Sequence, residues 1–462
     1  MSETVTRTAI PGLLVIDLAV HEDARGWFKE NWQRARMVAD GLPDFGPVQQ
    51  NIAFNVDTGV TRGLHAEPWD KLVSVAKGKV FGVWVDLRAG GTFGQVYTHE
   101  IGVGQAFFIP RGVANGYQTL EDGTVYSYLA NEHWSAEAKN SYAFVNLADK
   151  ALGVKWPIPL NSAIISAADE QHGLLCDVVP IREKQAVVIG AKGQLGTALT
   201  RLIPDALGLD LPEFDFTDPK VVESYPWAQV GAIINAAAYT DVDDAESLEG
   251  RKAAWAANVA AVANLVKVAR EHRITLVHIS SDYVFDGTQK EHLEAEAFAP
   301  LNVYGETKAA GDTVVGTYGN HYLVRTSWMI GAGKNFVKTM AALAQNGVKP
   351  SVVDDQYGRL TFTQDLAAGI LALLRGRAPF GTYNLSNTGP VRSWAEIAAD
   401  VFELVGHRRE EVTKVSTEEY LAGHLQALRP RYSALNLDKI RAFGFEPASQ
   451  QDRLREYVAS LG

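Results

Sequence analysis

The chain has 462 residues and a formal net charge of −11, with 47% hydrophobic and 21% charged residues. That length exceeds one typical domain of about 100–200 residues, and the composition is that of globular domains with large cores. The negative charge argues against a nucleic-acid partner, because phosphate backbones attract basic surfaces. It does not exclude a small phosphorylated ligand, which needs only a few local cations.

The cysteine content and the first residues indicate a compartment. The single cysteine, Cys176, excludes an intrachain disulfide, and we expect it to be a buried apolar residue without a catalytic role. The N-terminal residues lack the basic and apolar regions of a signal peptide. No apolar run reaches the roughly 18 residues of a membrane span. We therefore expect a cytoplasmic protein with no membrane partner.

Short strands are predicted along the first third of the chain. Apolar or alternating runs, separated by Gly, Asp and Pro, cover residues 71–76, 80–86, 106–110 and 124–129. Many short strands of this kind predict a β-sandwich or barrel of the jelly-roll type, with one helix near residues 32–40. One of the strands carries the motif Arg62-Gly63-Leu64-His65.

The pattern changes near residue 180. Residues 178–184 form a short segment with one proline and several charges, as a domain junction does, so we expect domains at 1–180 and 185–462. Beyond the junction, buried-strand runs at 186–189, 231–235 and 275–279 alternate with helical stretches such as 253–272. This alternation predicts a doubly wound parallel sheet with helices on both faces.

Three features of the second domain are typical of a nucleotide-dependent carbonyl reductase. The glycine loop at 190–196 follows a strand and opens a helix, which is the context of a dinucleotide-binding motif. Tyr304 and Lys308 lie four residues apart, so a helix presents them on one face, where the ammonium would lower the tyrosine pKa. Ser281 ends a strand, where open α/β sheets place their ligands.

The second domain resembles the dTDP-4-dehydrorhamnose reductases, a family of extended short-chain dehydrogenase/reductases. The resemblance covers nearly all of residues 186–462 and rests on the glycine loop and on residues 235–243, 281–287, 304–308, 325–328, 335–340 and 429–430. It implies a Rossmann-type sheet with a small substrate-binding lobe. It also implies NADPH or NADH as the reductant. If Asp210 is the acidic residue expected after the second strand, it would favour an unphosphorylated ribose, and the choice between the two cofactors stays open. The resemblance further implies a divalent cation such as Mg²⁺, to which no ligands can be assigned.

The resemblance also implies site residues in this second domain. Ser281, Tyr304 and Lys308 form the catalytic set, and Trp328 and Arg429 contact the substrate. The cofactor groove is expected to be lined by Gly190, Gly193, Gln194, Leu195, Gly196, Asp215, Phe216, Ala236, Ala237, Ala238, Tyr304 and Lys308.

The first domain resembles the dTDP-4-dehydrorhamnose 3,5-epimerases, which are cupin-like jelly rolls. The resemblance runs from about residue 7 to 160 and rests on residues 23–30, 49–51, 62–65, 80–88, 92–94, 109–112 and 155–157. It implies proton transfer without a cofactor. Cupin metal sites usually need several histidines, and the chain has Asn115 where a later one would stand, so we expect no metal.

Family roles can be assigned to several residues of the first domain. The imidazole of His65 removes the acidified hydrogens beside the C4 ketone, Asp149 orients it, Lys71 stabilises the enolate and Tyr128 returns a proton. The nucleotide sugar is expected to contact Arg25, Phe28, Glu30, Gln49, Asn51 and Arg62. The resemblance further suggests a homodimer formed through the barrel.

The chain departs from the epimerase pattern at three places: Glu67, where the family commonly has Gln, Asn115, where it has His, and His133-Trp134, where it has paired tyrosines. These departures leave open whether both C3 and C5 are inverted and which nucleotide is preferred. The favoured interpretation is a bifunctional enzyme that epimerises dTDP-4-keto-6-deoxy-D-glucose and then reduces its C4 ketone. The alternatives are a single-centre epimerase joined to the reductase, which would make another deoxysugar nucleotide, and a non-catalytic nucleotide-sugar-binding regulatory module.

Overall fold

In the computed structural model the chain divides into two compact units, Met1–Glu183 and Lys184–Gly462. The structure describes residues 4–135, 138–182, 184–376, 378–421 and 427–461. Within these ranges no helix is long and apolar enough to cross a lipid bilayer. Cys176 is exposed, so the expectation that it is buried is wrong.

The first unit consists mainly of short antiparallel strands. Its strands are β1 (Thr4–Arg7), β2 (Leu14–Asp17), β3 (Val20–Asp23), β4 (Gly26–Lys29), β5 (Gln49–Asn55), β6 (Thr61–Ala66), β7 (Lys71–Lys77), β8 (Val80–Asp86), β9 (Val96–Ile101), β10 (Gln105–Ile109), β11 (Val113–Thr119), β12 (Thr124–Ala130) and β13 (Ala143–Phe144). Its helices are α1 (Arg34–Ala39) and α2 (Ala167–Glu170). The helix predicted near residues 32–40 is therefore present as α1.

Two antiparallel sheets make a jelly-roll sandwich, as predicted. One sheet has the order β1-β2-β10-β7-β12-β5 and the other β13-β6-β11-β8-β9. Apolar residues of both sheets fill one core, in which Trp84 of β8 stacks on Phe107 of β10 with ring centroids 4.3 Å apart. Gly63 allows β6 to approach β11, because a Cβ at this position would lie 2.6 Å from the Cα of Gly116. The strand that carries His65 depends on this close approach.

The second unit alternates strands with helices. Its strands are β14 (Gln185–Ile189), β15 (Leu207–Leu209), β16 (Val230–Asn235), β17 (Thr275–Ser281), β18 (His321–Thr326), β19 (Met329–Ile330), β20 (Ser351–Val353), β21 (Tyr357–Gly358), β22 (Thr361–Phe362), β23 (Gly381–Asn384), β24 (Arg392–Ser393) and β25 (Thr413–Val415). Its helices are α3 (Gln194–Leu202), α4 (Pro219–Ser224), α5 (Leu248–Trp255), α6 (Ala261–His272), α7 (Val303–Gly316), α8 (Phe336–Gln345), α9 (Thr363–Gly376), α10 (Trp394–Leu404), α11 (Thr417–Leu421), α12 (Asp438–Ala442) and α13 (Gln450–Ala459). A π-helical turn, Ala256–Ala260, joins α5 to α6.

The main sheet of this unit is parallel, with the strand order β15-β14-β16-β17-β18-β23. Apolar clusters cover both faces, as expected for a doubly wound sheet. A separate cluster joins α8, α10 and α13 with the short strands β20 and β22, and it forms the smaller lobe. The carboxyl ends of β14, β16 and β17 carry the glycine loop, the Ala236–Ala238 segment and Ser281, which places the predicted ligand groups at one edge.

Candidate active sites

The base site of the barrel lies on β6 and on a segment far along the chain. His65 Nε2 is 2.7 Å from Asp169 Oδ1, and the His65 side chain is 33% exposed whereas that of Asp169 is 9% exposed. Asp169 Oδ2 accepts from the backbone N–H of Gly63 at 3.4 Å. Burial alone would raise the pKa of Asp169, but the hydrogen bonds from His65, Gly63 and Ser166 lower it below its ordinary value. The ionised carboxylate accepts only, so the ring proton of neutral His65 is on Nε2 and the lone pair is on Nδ1.

The prediction that Asp149 orients His65 is wrong. The Asp149 carboxylate accepts from Ala151 N at 2.9 Å and from Leu175 N at 2.7 Å. It caps a short 3₁₀ turn and holds the chain just beyond α2 in place. Asp149 thus supports the segment that carries Asp169, and it does not contact the imidazole itself. Because Asp169 is 104 residues from His65 in sequence, only the tertiary pairing reveals it.

Lys71 and Tyr128 lie on adjacent strands of the other sheet. The Lys71 ammonium is 2.8 Å from Glu67 Oε2, donates to Asn115 Oδ1 across the two sheets and lies 5.9 Å from the centroid of the Tyr128 ring. Burial first, and then the charge of Glu67, raise the pKa of Tyr128 to about 12. Tyr128 is therefore protonated at neutral pH and able to donate. Glu67 and Asn115, two of the residues at which the chain departs from the epimerase pattern, thus both contact Lys71.

The predicted sugar-nucleotide contacts fall into two groups. The charge of Arg62 opposes in part the rise in pKa that burial causes at Tyr117 and Tyr128. Arg62 Nε donates to Asn55 Oδ1 at 3.2 Å. Gln49 and Asn51, on the edge strand β5, bond to each other at 3.1 Å. The second group is on or next to the exposed β3–β4 hairpin, where Arg25 pairs with Asp23, Phe28 is 69% exposed and Glu30 pairs with Arg36 at 2.7 Å. Within the part of the chain that the structure describes, the hydrogen bonds and ion pairs of this second group do not reach His65.

In the second unit, the glycine loop fits a dinucleotide. Gly190 has a φ of +79°, and a Cβ there would lie 2.8 Å from the backbone nitrogen of Ala237, so the loop and the Ala236–Ala238 segment pack closely. The first turn of α3 starts at Gly193 without a side-chain cap, which leaves N–H groups for a pyrophosphate. Gln194, Leu195 and Gly196 form this first turn. Asp215 caps a local turn by accepting from Thr217, and Phe216 packs on the core.

Ser281, Tyr304 and Lys308 converge at the carboxyl end of β17. Tyr304 is hydrogen-bonded to Ser281, whose Oγ donates to Asp282 Oδ1 at 3.0 Å. The buried ammonium of Lys308 donates to the carbonyl of Ile279 at 2.7 Å. These contacts can hold a carbonyl oxygen between a serine and a tyrosine hydroxyl, which is the geometry needed to protonate an oxygen becoming an alkoxide.

The expectation that the pKa of Tyr304 is lowered is wrong. Burial and then the charge of Asp282 raise the pKa of Tyr304 well above its ordinary value. Burial lowers the pKa of Lys308 to about 8, opposed by Asp312, which forms a buried ion pair with Arg325 at 3.1 Å. Desolvation therefore dominates over the attraction that spacing alone suggests. Tyr304 keeps its proton until a reaction requires it.

The predicted substrate residues of this unit lie on loops around that edge. Trp328 adopts a φ of +42° and stacks on Trp394 with centroids 3.7 Å apart. Arg429 Nη2 pairs with Asp243 at 2.9 Å. Burial raises the pKa of Tyr283, and the charge of Arg429 opposes this rise in part. Tyr283 packs edge-on against Tyr304. A cavity of about 580 Å³ elsewhere in the unit is lined by α3, α13 and residues 330–333, and it does not include this catalytic set.

Comparisons with known proteins match a different family to each of the two units. Residues 7–177 match the dTDP-4-dehydrorhamnose 3,5-epimerase family, and residues 184–462 match the RmlD substrate binding domain family. The protein RmlC homolog of Streptococcus pyogenes is 51% identical over 180 residues, which are 38% of this chain and 90% of that protein. The dTDP-4-dehydrorhamnose reductase of Aggregatibacter actinomycetemcomitans is 36% identical over 296 residues, which are 59% of this chain and 98% of that protein.

The chain belongs to both families, one in each unit. A solved dTDP-4-dehydrorhamnose reductase from Bacillus anthracis, in complex with NADP, is 33% identical with a TM-score of 0.56 and covers 61% of this chain and 100% of that chain. The predicted fold class and the predicted fusion are confirmed.

Sequence reasoning missed several residues of both sites. Asp169 and His172 contact the base from α2 and the turn after it, and Asp282 and Tyr283 follow the predicted Ser281 directly. The last two could have been found, because they continue a strand end that was already singled out. For Asp169 the available signal was weak: Ser166 and Asp169 have the spacing of a helix N-cap, which suggests a turn but no partner.

Proposed function

We propose that the chain is a bifunctional enzyme of dTDP-L-rhamnose synthesis, which epimerises dTDP-4-keto-6-deoxy-D-glucose at C3 and C5 and then reduces the C4 ketone. The observation that carries the proposal is the presence of two separate proton-handling sites, His65–Asp169 with Lys71 and Tyr128 in one unit, and Ser281–Tyr304–Lys308 in the other. Each site lies in a unit that belongs to the matching family.

In the first reaction, Nδ1 of His65 removes a hydrogen from a carbon beside the ketone while Asp169 holds the ring through Nε2. The Lys71 ammonium faces the oxygen on which enolate charge develops. Tyr128, kept neutral by burial, returns a proton to the opposite face. Glu67 holds the ammonium of Lys71 in place at 2.8 Å.

For the second reaction, the glycine loop and the Ala236–Ala238 segment would hold a nicotinamide dinucleotide, which would supply a hydride. Ser281 and Tyr304 hold the ketone oxygen, and Tyr304 donates its proton to that oxygen as negative charge develops. The ammonium of Lys308 is held by its hydrogen bond to the carbonyl of Ile279. It supplies a positive charge one helical turn from Tyr304. Reduction removes the ketone that makes the first reaction reversible, so it traps the epimerised sugar.

NADPH is the proposed reductant. Both oxygens of Asp210 accept backbone N–H groups, from Lys192 at 2.6 Å and from Leu211 at 2.8 Å. The ammonium of Lys192 donates to the carbonyl of Leu211 and forms an exposed ion pair with Glu213 at 3.1 Å. An exposed pair of this kind is weak and exchanges readily, so its cation can serve a 2′-phosphate. The related Bacillus anthracis reductase was solved with NADP.

A homodimer through the barrel is also proposed. Strand β5 is an edge strand of its sheet, and its side chains Ile52 and Phe54 are 67% and 61% exposed, flanked by exposed Val48 and Val56. An exposed apolar edge is a template for pairing with a second copy. Light scattering should give a dimer for the wild type and a monomer for Ile52→Lys. A monomeric wild type would contradict the proposal.

The function is tested with dTDP-4-keto-6-deoxy-D-glucose and NADPH, with products identified by NMR. His65→Ala and Tyr304→Phe should each block rhamnose formation, and a mixture of the two variants should restore it. Without NADPH, the wild type in deuterated water should incorporate deuterium at both C3 and C5. Exchange at only one carbon would favour the single-centre epimerase, and no NADPH oxidation by the wild type would favour a binding module.

A further inference from the structure

A second histidine contacts the carboxylate that holds the base. His172 Nε2 is 3.2 Å from Asp169 Oδ1, the same oxygen that lies 2.7 Å from His65 Nε2. One ligand atom from each of His65, Asp169 and His172 lies within 4.8 Å of those of the other two. The described residues of the chain contain no other group of three His, Cys, Asp or Glu side chains that converges in this way. The proposed proton transfer assigns no role to His172.

The surroundings of the three groups are those of a metal site. The side chains of His172 and Asp169 are 14% and 9% exposed. Phe144 stacks on His172 with centroids 4.6 Å apart and meets His65 edge-on at 5.4 Å, which fixes both rings. The second oxygen of Asp169 is held by the Gly63 N–H. Ordered rings and a carboxylate held from behind are typical of metal ligands.

The distances allow a tetrahedral ion. Zn²⁺ binds imidazole nitrogen and carboxylate oxygen at about 2.0–2.2 Å, so its ligand atoms stand roughly 3.3 Å apart. The 3.2 Å separation between His172 and Asp169 is already close to this value, and the 2.7 Å separation between His65 and Asp169 must open by about half an ångström. The ligand atoms lie within 4.8 Å of one another, so the two imidazole nitrogens must approach by at most about 1.5 Å. Two imidazoles and one carboxylate match zinc and neighbouring first-row ions better than Mg²⁺, which prefers oxygen.

We propose that His65, Asp169 and His172 bind Zn²⁺ or a similar divalent transition metal, and that the bound ion inhibits epimerisation. The inhibition rests on the proposed function, whereas the binding does not. The single ring proton of His65 leaves Nε2 and moves to Nδ1 through solvent, and the ion binds the lone pair that this frees on Nε2. Nδ1 no longer carries the lone pair that removes the substrate hydrogen. The base is thereby switched off without any change of net protonation on the ring.

Binding is tested with the full-length protein after treatment with a chelator, by calorimetric titration with Zn²⁺ and by the visible absorption of added Co²⁺. The wild type should bind one zinc per chain at this site. His172→Asn removes one ligand, so it should weaken binding by at least about tenfold, the lower bound seen even for outer contacts of metal sites. His99→Asn is the matched control, because His99 lies in the same barrel and pairs with Gln105.

Equal zinc affinity in the wild type and His172→Asn would overturn the site. The Co²⁺ spectrum of the wild type gives an answer that needs no variant, since a low-symmetry nitrogen and oxygen site absorbs strongly and hydrated Co²⁺ does not. An unchanged circular dichroism spectrum establishes that the variant is folded.

Inhibition is tested by deuterium exchange into the substrate without NADPH. Stoichiometric Zn²⁺ should stop exchange by the wild type, and a chelator should restore it. Each variant is compared with its own metal-free rate, and His172→Asn should need at least about ten times more zinc. Zinc bound through His172 without loss of exchange would overturn the inhibitory step. No exchange even in metal-free protein would instead contradict the proposed epimerase, whatever the zinc titration shows.

Discussion

The two proposed sites differ in how their residues are distributed along the chain. In the reductase unit, a strand end and the first turns of one helix supply Ser281, Tyr304 and Lys308, of which Ser281 and Lys308 are buried and Tyr304 is half-buried. In the barrel, the base is one-third exposed and its carboxylate partner is 104 residues away. A site built on neighbouring elements can be found from spacing, whereas a site closed by a distant segment depends on tertiary pairing.

The largest expected effect concerns that distant partner. Asp169→Asn should lower the rate of deuterium exchange by about 10²- to 10⁴-fold, because an amide neither fixes the Nε2–H tautomer of His65 nor stabilises the imidazolium. Asp149→Asn is the matched control and should retain most of the activity, since Asp149 accepts only backbone N–H groups. If Asp149→Asn lost more activity than Asp169→Asn, the barrel site would be assigned wrongly.

The next effect separates proton removal from proton return. Tyr128→Phe should lower the rate of inversion by at least about 10²-fold, because the general acid is lost. Exchange at the carbon deprotonated by His65 should decline much less, since the base and Lys71 remain. Tyr97→Phe, which changes a partly buried tyrosine of the same barrel core, serves as control. Equal losses of exchange and inversion in Tyr128→Phe would show that Tyr128 is not the acid.

The sequence predicted the fold further than it predicted the sites. The short strand runs of the first unit and the alternation of strands with helices in the second are local patterns, and both architectures could be predicted from them. The reductase set, predicted from the order of the glycine loop, Ser281 and the Tyr304–Lys308 pair, stays a prediction. The pKa of Tyr304 could not be predicted from its spacing to Lys308, because burial outweighs the nearby ammonium. Asp169 could not be predicted, because its partner His65 is 104 residues away in sequence. The resemblance implies Asp149 in this role instead.

A smaller effect is expected in the choice of cofactor. Lys192→Ala should lower kcat/KM for NADPH by about 10- to 100-fold relative to NADH, the range for a lost hydrogen bond to a charged group. Lys267→Ala is the control, because Lys267 forms a similarly exposed pair with Glu223 on the outside of α6. An unchanged ratio of the two cofactors in Lys192→Ala would remove this lysine from the recognition of the 2′-phosphate.

The smallest expected effect is on the pH dependence of the free energy of unfolding, and it comes from the buried Asp282 of the reductase unit. Burial raises the pKa of Asp282 to about 6 from an ordinary value of 3.8. The folded state therefore binds more protons than the unfolded state between these values, so the free energy of unfolding falls as pH rises through this window. Asp282→Asn should remove this fall. At neutral pH the free energy of unfolding of the variant should then exceed that of the wild type by on the order of 3 kcal/mol at most.

Urea unfolding of wild type and variant across this window measures the difference. Asp286→Asn is the control, because backbone and side-chain hydrogen bonds from Thr288 lower the pKa of the exposed Asp286 carboxyl. Its contribution has the opposite sign and is lost only as pH falls through its low pKa. A fall in stability between about pH 4 and 6 that persisted in Asp282→Asn would mean that another buried acid titrates there. Asp312, whose pKa is also raised by burial, would be examined next.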